Sequence, residues 1–249
     1  MFFNSDSGST HKGFSATWKK TQMSREITSP KQPKKYPNNP NREEYKTLMV
    51  TTRNAPDWTS AFLAPGTINW VPGPRLPVGM VGPCAAPISA HSFLIVHRRH
   101  VLEFDVRVDG PTSFAGWREQ WKWPQLQVVR TNQPGCAVLK TKFIVAGGHN
   151  DNDGNLRSTE IIDLERKTIH FAGGMHKPRA YFHLFAINGN VYAVGGNNYD
   201  ALTTMTSNNL VNVEKFVEDE ETWKPADKNL PGGRDSYGGV AIDQDFVCG

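Results

Sequence analysis

Two copies of one short pattern constrain this chain more than anything else in it. In the first, Phe143–Ala146 is followed by Gly147-Gly148; in the second, Val191–Val194 is followed by Gly195-Gly196. The copies lie 48 residues apart, and at that shift Ala137–Leu139 falls on Phe185–Ile187 and the polar turn Lys140–Lys142 on Asn188–Asn190. Short apolar or β-branched runs punctuated by turn residues are the signal of strands. The stretch Gln133–Leu164 therefore reads as three strands, Cys136–Leu139, Phe143–Ala146 and Thr159–Leu164, with a loop rich in Asn, Asp and Gly before the last.

The same order recurs more weakly on both sides. Thr47–Thr52, Ser60–Ala64 and the segment around Trp70, closed by Leu76-Pro77, form a first unit. A second runs through Phe93–His97 and the Trp-rich segment near Trp117. The fourth contains Tyr181–Ile187, Val191–Val194, Val213–Val217, Trp223 and Leu230-Pro231. Phe93 and Phe143 are 50 residues apart, and Glu160 and Glu214 are 54 apart. A period near 50 with four strands per unit indicates an all-β propeller. The approximate units are 47–77, 78–127, 128–175, 176–231 and a partial 232–249. A central strand covered on both faces by neighbouring blades should be apolar throughout. Glycines at its end permit positive φ and close backbone approach.

The charge divides unevenly. Residues 1–46 hold nine Lys and Arg against four Asp and Glu, and the other 19 basic residues are balanced by 20 acidic ones. Residues 1–46 also lack any apolar period, so they read as a flexible basic tail. A basic folded face for nucleic acid is not expected. No run of 18 apolar residues suits a membrane helix, and the start lacks the apolar core of a signal peptide, so a cytoplasmic chain is expected. Cys84, Cys136 and Cys248 lack metal-ligand spacing and are expected as buried strand cysteines, at least one of them outside any intrachain pair.

The runs FIVAGG and VYAVGG, the later Trp223 and the closing Leu230-Pro231 resemble the kelch repeat, over roughly residues 47–249. The other units depart from it. Thr51-Thr52 and His97-Arg98 stand where the glycine doublet belongs, and unit three has Ile169 or Phe171 nearest the Trp place. The resemblance implies a kelch-type β-propeller, here of about four blades and incomplete, or else a tight ring closed by Tyr237–Ile242. It also implies a module that binds another protein through loops on one face. The alternatives are an extracellular galactose-oxidase-like enzyme acting on carbohydrate, and a truncated product without function.

No catalytic motif, cofactor or metal site is expected. His91, His97, His100, His176 and His183 form no recognisable copper-ligand pattern with tyrosine. Asp151–Gly154 superficially resembles a calcium loop, but its first ligand place is His149 and its flanks are not helical, so a turn is expected. The loops 53–59, 149–157 and 197–208 and the connections 177–180 and 232–236 should share one face. There Arg179 and Arg234, each just before a first strand, with Asn197, Asn198, Tyr181 and Tyr237, could hold another protein or an acidic peptide by charge-assisted hydrogen bonds; the alternative is that each arginine only braces its own blade edge.

Overall fold

The computed structural model describes residues 49–51, 60–63, 70–72, 79–89, 92–105, 116–117, 123–200, 204–236, 239–242 and 245–248, with side chains at 79–89, 92–105, 123–199 and 209–236. The basic tail, His91 and Tyr237 lie outside them. No helix long and apolar enough to cross a membrane occurs among the described residues.

Three four-stranded antiparallel sheets form the centre of the chain. One contains β4 (Cys84–Pro87), β5 (Ser92–His97), β6 (His100–Asp105) and β7 (Gly116–Trp117). The next contains β8 (Gly135–Leu139), β9 (Lys142–Ala146), β12 (Thr159–Asp163) and β13 (Thr168–Ala172). The third contains β14 (His183–Ile187), β15 (Asn190–Val194), β18 (Val213–Val217) and β19 (Thr222–Pro225). Before them, β1 (Met49–Thr51), β2 (Ser60–Leu63) and β3 (Trp70–Pro72) make a three-stranded sheet, and after them β20 (Gly239–Ile242) pairs with β21 (Asp245–Cys248). The first strands β4, β8, β14 and β20 are successive neighbours, which is the arrangement of blades around a propeller axis. We number these five sheets blades 1 to 5. The ring reading is not what is seen: β20 takes β21 as its partner rather than extending blade 1.

The apolar runs divide their side chains between two seams with a period of two. Phe143 and Val145 of β9 pack with Leu94, Val96, Trp123 and Leu126 of blade 2, while Ile144 and Ala146 pack with Phe182, Leu184, Val191 and Trp223 of blade 4. A strand between two apolar seams has no polar face, so its alternation is hidden in the sequence. The outer Trp is tied to the third strand: Phe216 lies opposite Trp223, Phe104 opposite Trp117 and Leu63 opposite Trp70. In blade 3, Ile162 faces Ile169, so Ile169 and not Phe171 takes the Trp place. Trp223 also crosses the seam, donating its indole N–H to Thr159 Oγ1 of blade 3 at 2.9 Å.

One expectation is corrected. The Asn-rich segments after the glycine doublets are hairpins, not open loops. They are β10 (His149–Asn150) with β11 (Gly154–Asn155), and β16 (Asn197–Asp200) with β17 (Thr204–Asn209). Asn and Asp are poor strand formers, so composition concealed them. The structure also settles a pairing that the sequence left open. Cys84 of β4 and Cys136 of β8 are joined in a disulfide between the first strands of blades 2 and 3, with Cα atoms 5.6 Å apart. It closes a separation of 52 residues, for which chain entropy predicts roughly 4 kcal/mol. Reduction, or Cys136→Ser, should lower the urea midpoint accordingly; an unchanged midpoint would show that the link does not constrain the unfolded chain.

Candidate interaction face

Each of blades 3 and 4 is entered through a buried arginine. Arg130 and Arg179 stand 49 residues apart and are both fully buried. Arg179 Nη1 donates to the carbonyls of Gly195 (2.9 Å) and Asn212 (3.0 Å), and Nη2 donates to Glu214 Oε1 (2.5 Å) on β18. Arg130 repeats this with Gly147 O (2.6 Å), Ser158 O (3.3 Å) and Glu160 Oε2 (2.9 Å) on β12. Each carboxylate also accepts two amides from the lead-in: Gln127 and Val128 for Glu160, His176 and Lys177 for Glu214. Burial pushes the Glu214 carboxyl up, but the His176 amide, Arg179 and the Lys177 amide outweigh it, and its pKa lies below the ordinary value. Burial likewise pulls Arg130 below its usual pKa against the attraction of Glu160.

The same arginines join blade to blade through their main chain. Gly148 N donates to Arg179 O (2.8 Å), Gly196 N to Arg234 O (2.7 Å), and Arg98 N, at the doublet place of blade 2, to Arg130 O (3.1 Å). Gly147 and Gly148 have φ of 60° and 90°, and a Cβ on Gly147 would sit 2.5 Å from Arg179 O. The doublet therefore needs glycine both for its handedness and for the next blade's approach. Beside it runs a second chain of amides. Gln133 N donates to Gly82 O, Tyr181 N to Gln133 O and Ser236 N to Tyr181 O, and all four residues have positive φ.

On this side of the blades a line of polar side chains crosses the seams. His149 Nδ1 lies 3.0 Å from Asn155 Oδ1; Asn155 Nδ2 donates to Asn197 Oδ1 and to its carbonyl, both at 2.8 Å; Asn197 Nδ2 donates to Asp235 Oδ2 at 2.9 Å. The two hairpins and the connection into blade 5 are thereby held as one surface. Blade 2 has no such hairpin. Its β5–β6 connection is the tight turn Arg98-Arg99, and beside that turn opens a cleft of about 420 Å³ lined by Gly79, Val81, His97, Arg98, His100, Thr131, Asn132 and Asp151.

No model of a known protein family matches the chain. Among curated proteins, it is 32% identical over 108 residues to the kelch repeat and BTB domain-containing protein 2 of ectromelia virus (strain Moscow), covering 43% of this chain and 18% of that one. It is 41% identical over 64 residues to the influenza virus NS1A-binding protein homolog of Xenopus laevis, covering 26% and 10%. Among solved structures it superposes on the kelch-type propeller YjhT with a TM-score of 0.56 at 13% identity, over 70% of this chain and 58% of that one. The chain has the fold of a kelch-type propeller and is similar to kelch-repeat proteins over part of its length. It spans less than a fifth of the length of the curated relatives named here, given the shares of 18% and 10%.

Within the kelch frame the expected site residues separate. Of the two readings of Arg179, the surface contact is excluded and the brace holds, because the third-strand Glu214 draws its buried guanidinium inward. Asn197 is buried, with its amide used in the polar line. Asn198 and Tyr181 are half-buried on the face, and Arg234 is exposed. Asp151, Asn152 and Asp153 are the exposed turn of the β10–β11 hairpin. Arg130, Asn155 and Asp235 escaped sequence reasoning, and Glu160 entered it only as a repeat marker through its spacing from Glu214. The 49-residue spacing of Arg130 and Arg179 carried that signal, whereas Arg234 was the arginine compared with Arg179.

The kelch blade without the buried pair is informative. In blade 2, buried Met80 stands two residues before Gly82, as Arg179 does before Tyr181, and Leu102 faces Ile95 as Glu160 faces Val145. Replacing a buried ion pair by apolar residues is often neutral, whereas removing one partner strands a charge. Glu214→Leu should therefore cost about 3–5 kcal/mol. The double variant Arg179→Met, Glu214→Leu should recover part of that, with a coupling above about 1 kcal/mol in urea unfolding. Strict additivity would refute the reading.

His97, at the first doublet place of blade 2, is buried, and its Nδ1 accepts the Val81 amide at 3.4 Å. Burial first, then the charges of Arg98 and His100, lower its pKa from 6.5 to about 4. A folded value below the unfolded one contributes stability that is full above pH 6.5 and is lost as pH falls toward 4. Urea midpoints should drop across that window in the parent chain and less so in His97→Gln. Equal slopes in the two would exclude His97 as the source.

Proposed function

We propose that this chain is a protein-interaction module whose contact surface is the face carrying the β10–β11 and β16–β17 hairpins and the connection into blade 5. The observation that carries the reading is the Asn155–Asn197–Asp235 line, which ties loops of three successive blades together through the buried amides of Asn155 and Asn197. Binding surfaces profit from loops held in advance, since ordering them at the moment of contact costs affinity. The names of the relatives support the reading in kind: one is a kelch and BTB protein, the other is named for binding a viral protein.

In this reading the module is not an enzyme, and its partner is another protein. Arg234, Asn198 and Tyr199 supply contact chemistry from the surface of the face, while Arg179 and Asn197 hold it in shape. The test is charge reversal at Arg234. Arg234→Glu should leave the unfolding midpoint unchanged within about 0.5 kcal/mol. It should also abolish the cross-links that the parent chain makes to partner proteins through this face. Identical cross-linked partners for parent and Arg234→Glu would overturn the assignment of the surface.

A further inference from the structure

The cleft beside the Arg98-Arg99 turn exists because two neighbouring blades differ. Blade 3 continues past its glycine doublet into the β10–β11 hairpin, whereas blade 2 turns back at once from His97 to His100. The lead-in of blade 2, at Gly79 and Val81, and that of blade 3, at Thr131 and Asn132, then line the opening. Three donor-bearing side chains line it without a hydrogen bond or ion pair among the described residues: the Arg98 guanidinium, the His100 imidazole and the Asn132 amide. Arg98 is exposed, but its main chain is fixed by reciprocal bonds to Arg130, N to O at 3.1 Å and O to N at 3.3 Å. The acid on the rim, Asp151, is already engaged. It accepts the Thr131 hydroxyl at 3.3 Å and lies 4.0 Å from His149 Nε2.

We propose that this cleft between blades 2 and 3 receives a carboxylate side chain of a protein partner, with Arg98 as its principal donor and His100 and Asn132 completing the contact. The proposal rests on the interaction reading above and adds a place and a chemistry to it. A planar guanidinium meets a carboxylate through two parallel N–H···O bonds, which are charge-assisted and specific in direction. The opening of about 420 Å³ admits a glutamate side chain with its stem.

The experiment uses the full chain, labelled with nitrogen-15, and the probe acetyl-Glu-Glu-Glu-amide, with acetyl-Gln-Gln-Gln-amide as the neutral control. The acidic peptide should shift the amides of Gly79, Val81 and Asn132 saturably, and the neutral one should not. Arg98→Gln should weaken binding about tenfold or more while the rest of the spectrum is retained. Asp151→Asn should tighten it about threefold by removing the like charge on the rim. Equal shifts from both peptides, or undiminished binding to Arg98→Gln, would overturn the proposal. The two readings fail separately. Loss of partner cross-links in Arg234→Glu with undiminished triglutamate binding to Arg98→Gln removes the cleft and leaves the face. Loss of triglutamate binding in Arg98→Gln with cross-links unchanged in Arg234→Glu removes the face and leaves the cleft.

Discussion

The burial of a guanidinium at the entrance of a blade is the constraint on which the rest depends. Arg130 and Arg179 have no exposed surface, so the charge of each must be answered by protein. The answers come from three directions: the end of the second strand, the start of the third, and a third-strand glutamate. The main chain of Arg179 meanwhile accepts the Gly148 amide of the preceding blade. One residue therefore fixes its own sheet and places the previous blade against it. The glycine doublet follows from the same demand, because nothing with a Cβ could lie beneath that carbonyl.

Blade 2 shows what this device adds. With Met80 and Leu102 in place of arginine and glutamate, it still forms a four-stranded sheet joined to blade 3. The sheet itself is driven by its apolar seams, which remove both faces of the central strands from water. The buried pairs contribute direction, since an ion pair with fixed hydrogen bonds tolerates one register where an apolar contact tolerates several. Where the doublet and its following hairpin are missing, the chain turns early, and the space left over is the cleft. Loss of repeat regularity and gain of a recess have the same cause.

Much of this was legible in the sequence. The strands around Gln133–Leu164, their four-strand grouping, the kelch resemblance and the shared face of the connections in blades 3 to 5 followed from spacing and turn chemistry, while the loop 53–59 lies outside the described residues. The site was less legible. Between surface contact and brace the sequence did not decide for Arg179, since charge is usually exposed, and only its bond to Glu214 across 35 residues shows the brace. The hairpin at Asn197–Asn209 was hidden because it rests on pairing between its strands and not on the propensity of asparagine. The positive φ at Gln133, Tyr181 and Ser236 carried no glycine to announce it.

By itself, the sequence determined the period, the alternation of strand and turn, and the places where glycine was required. These are local matters of side-chain pattern and backbone freedom, and each is written within a few residues. The tertiary structure alone decided which charges were buried, which cysteines met, and where a recess opened. Each of those depends on two blades brought side by side: Cys84 on Cys136, Arg98 at its doublet place on Arg130, and Asn155 on Asn197. Residues several tens of positions apart have no local signal for one another; only the packing of successive sheets creates the contact, and with it the surface from which function is read.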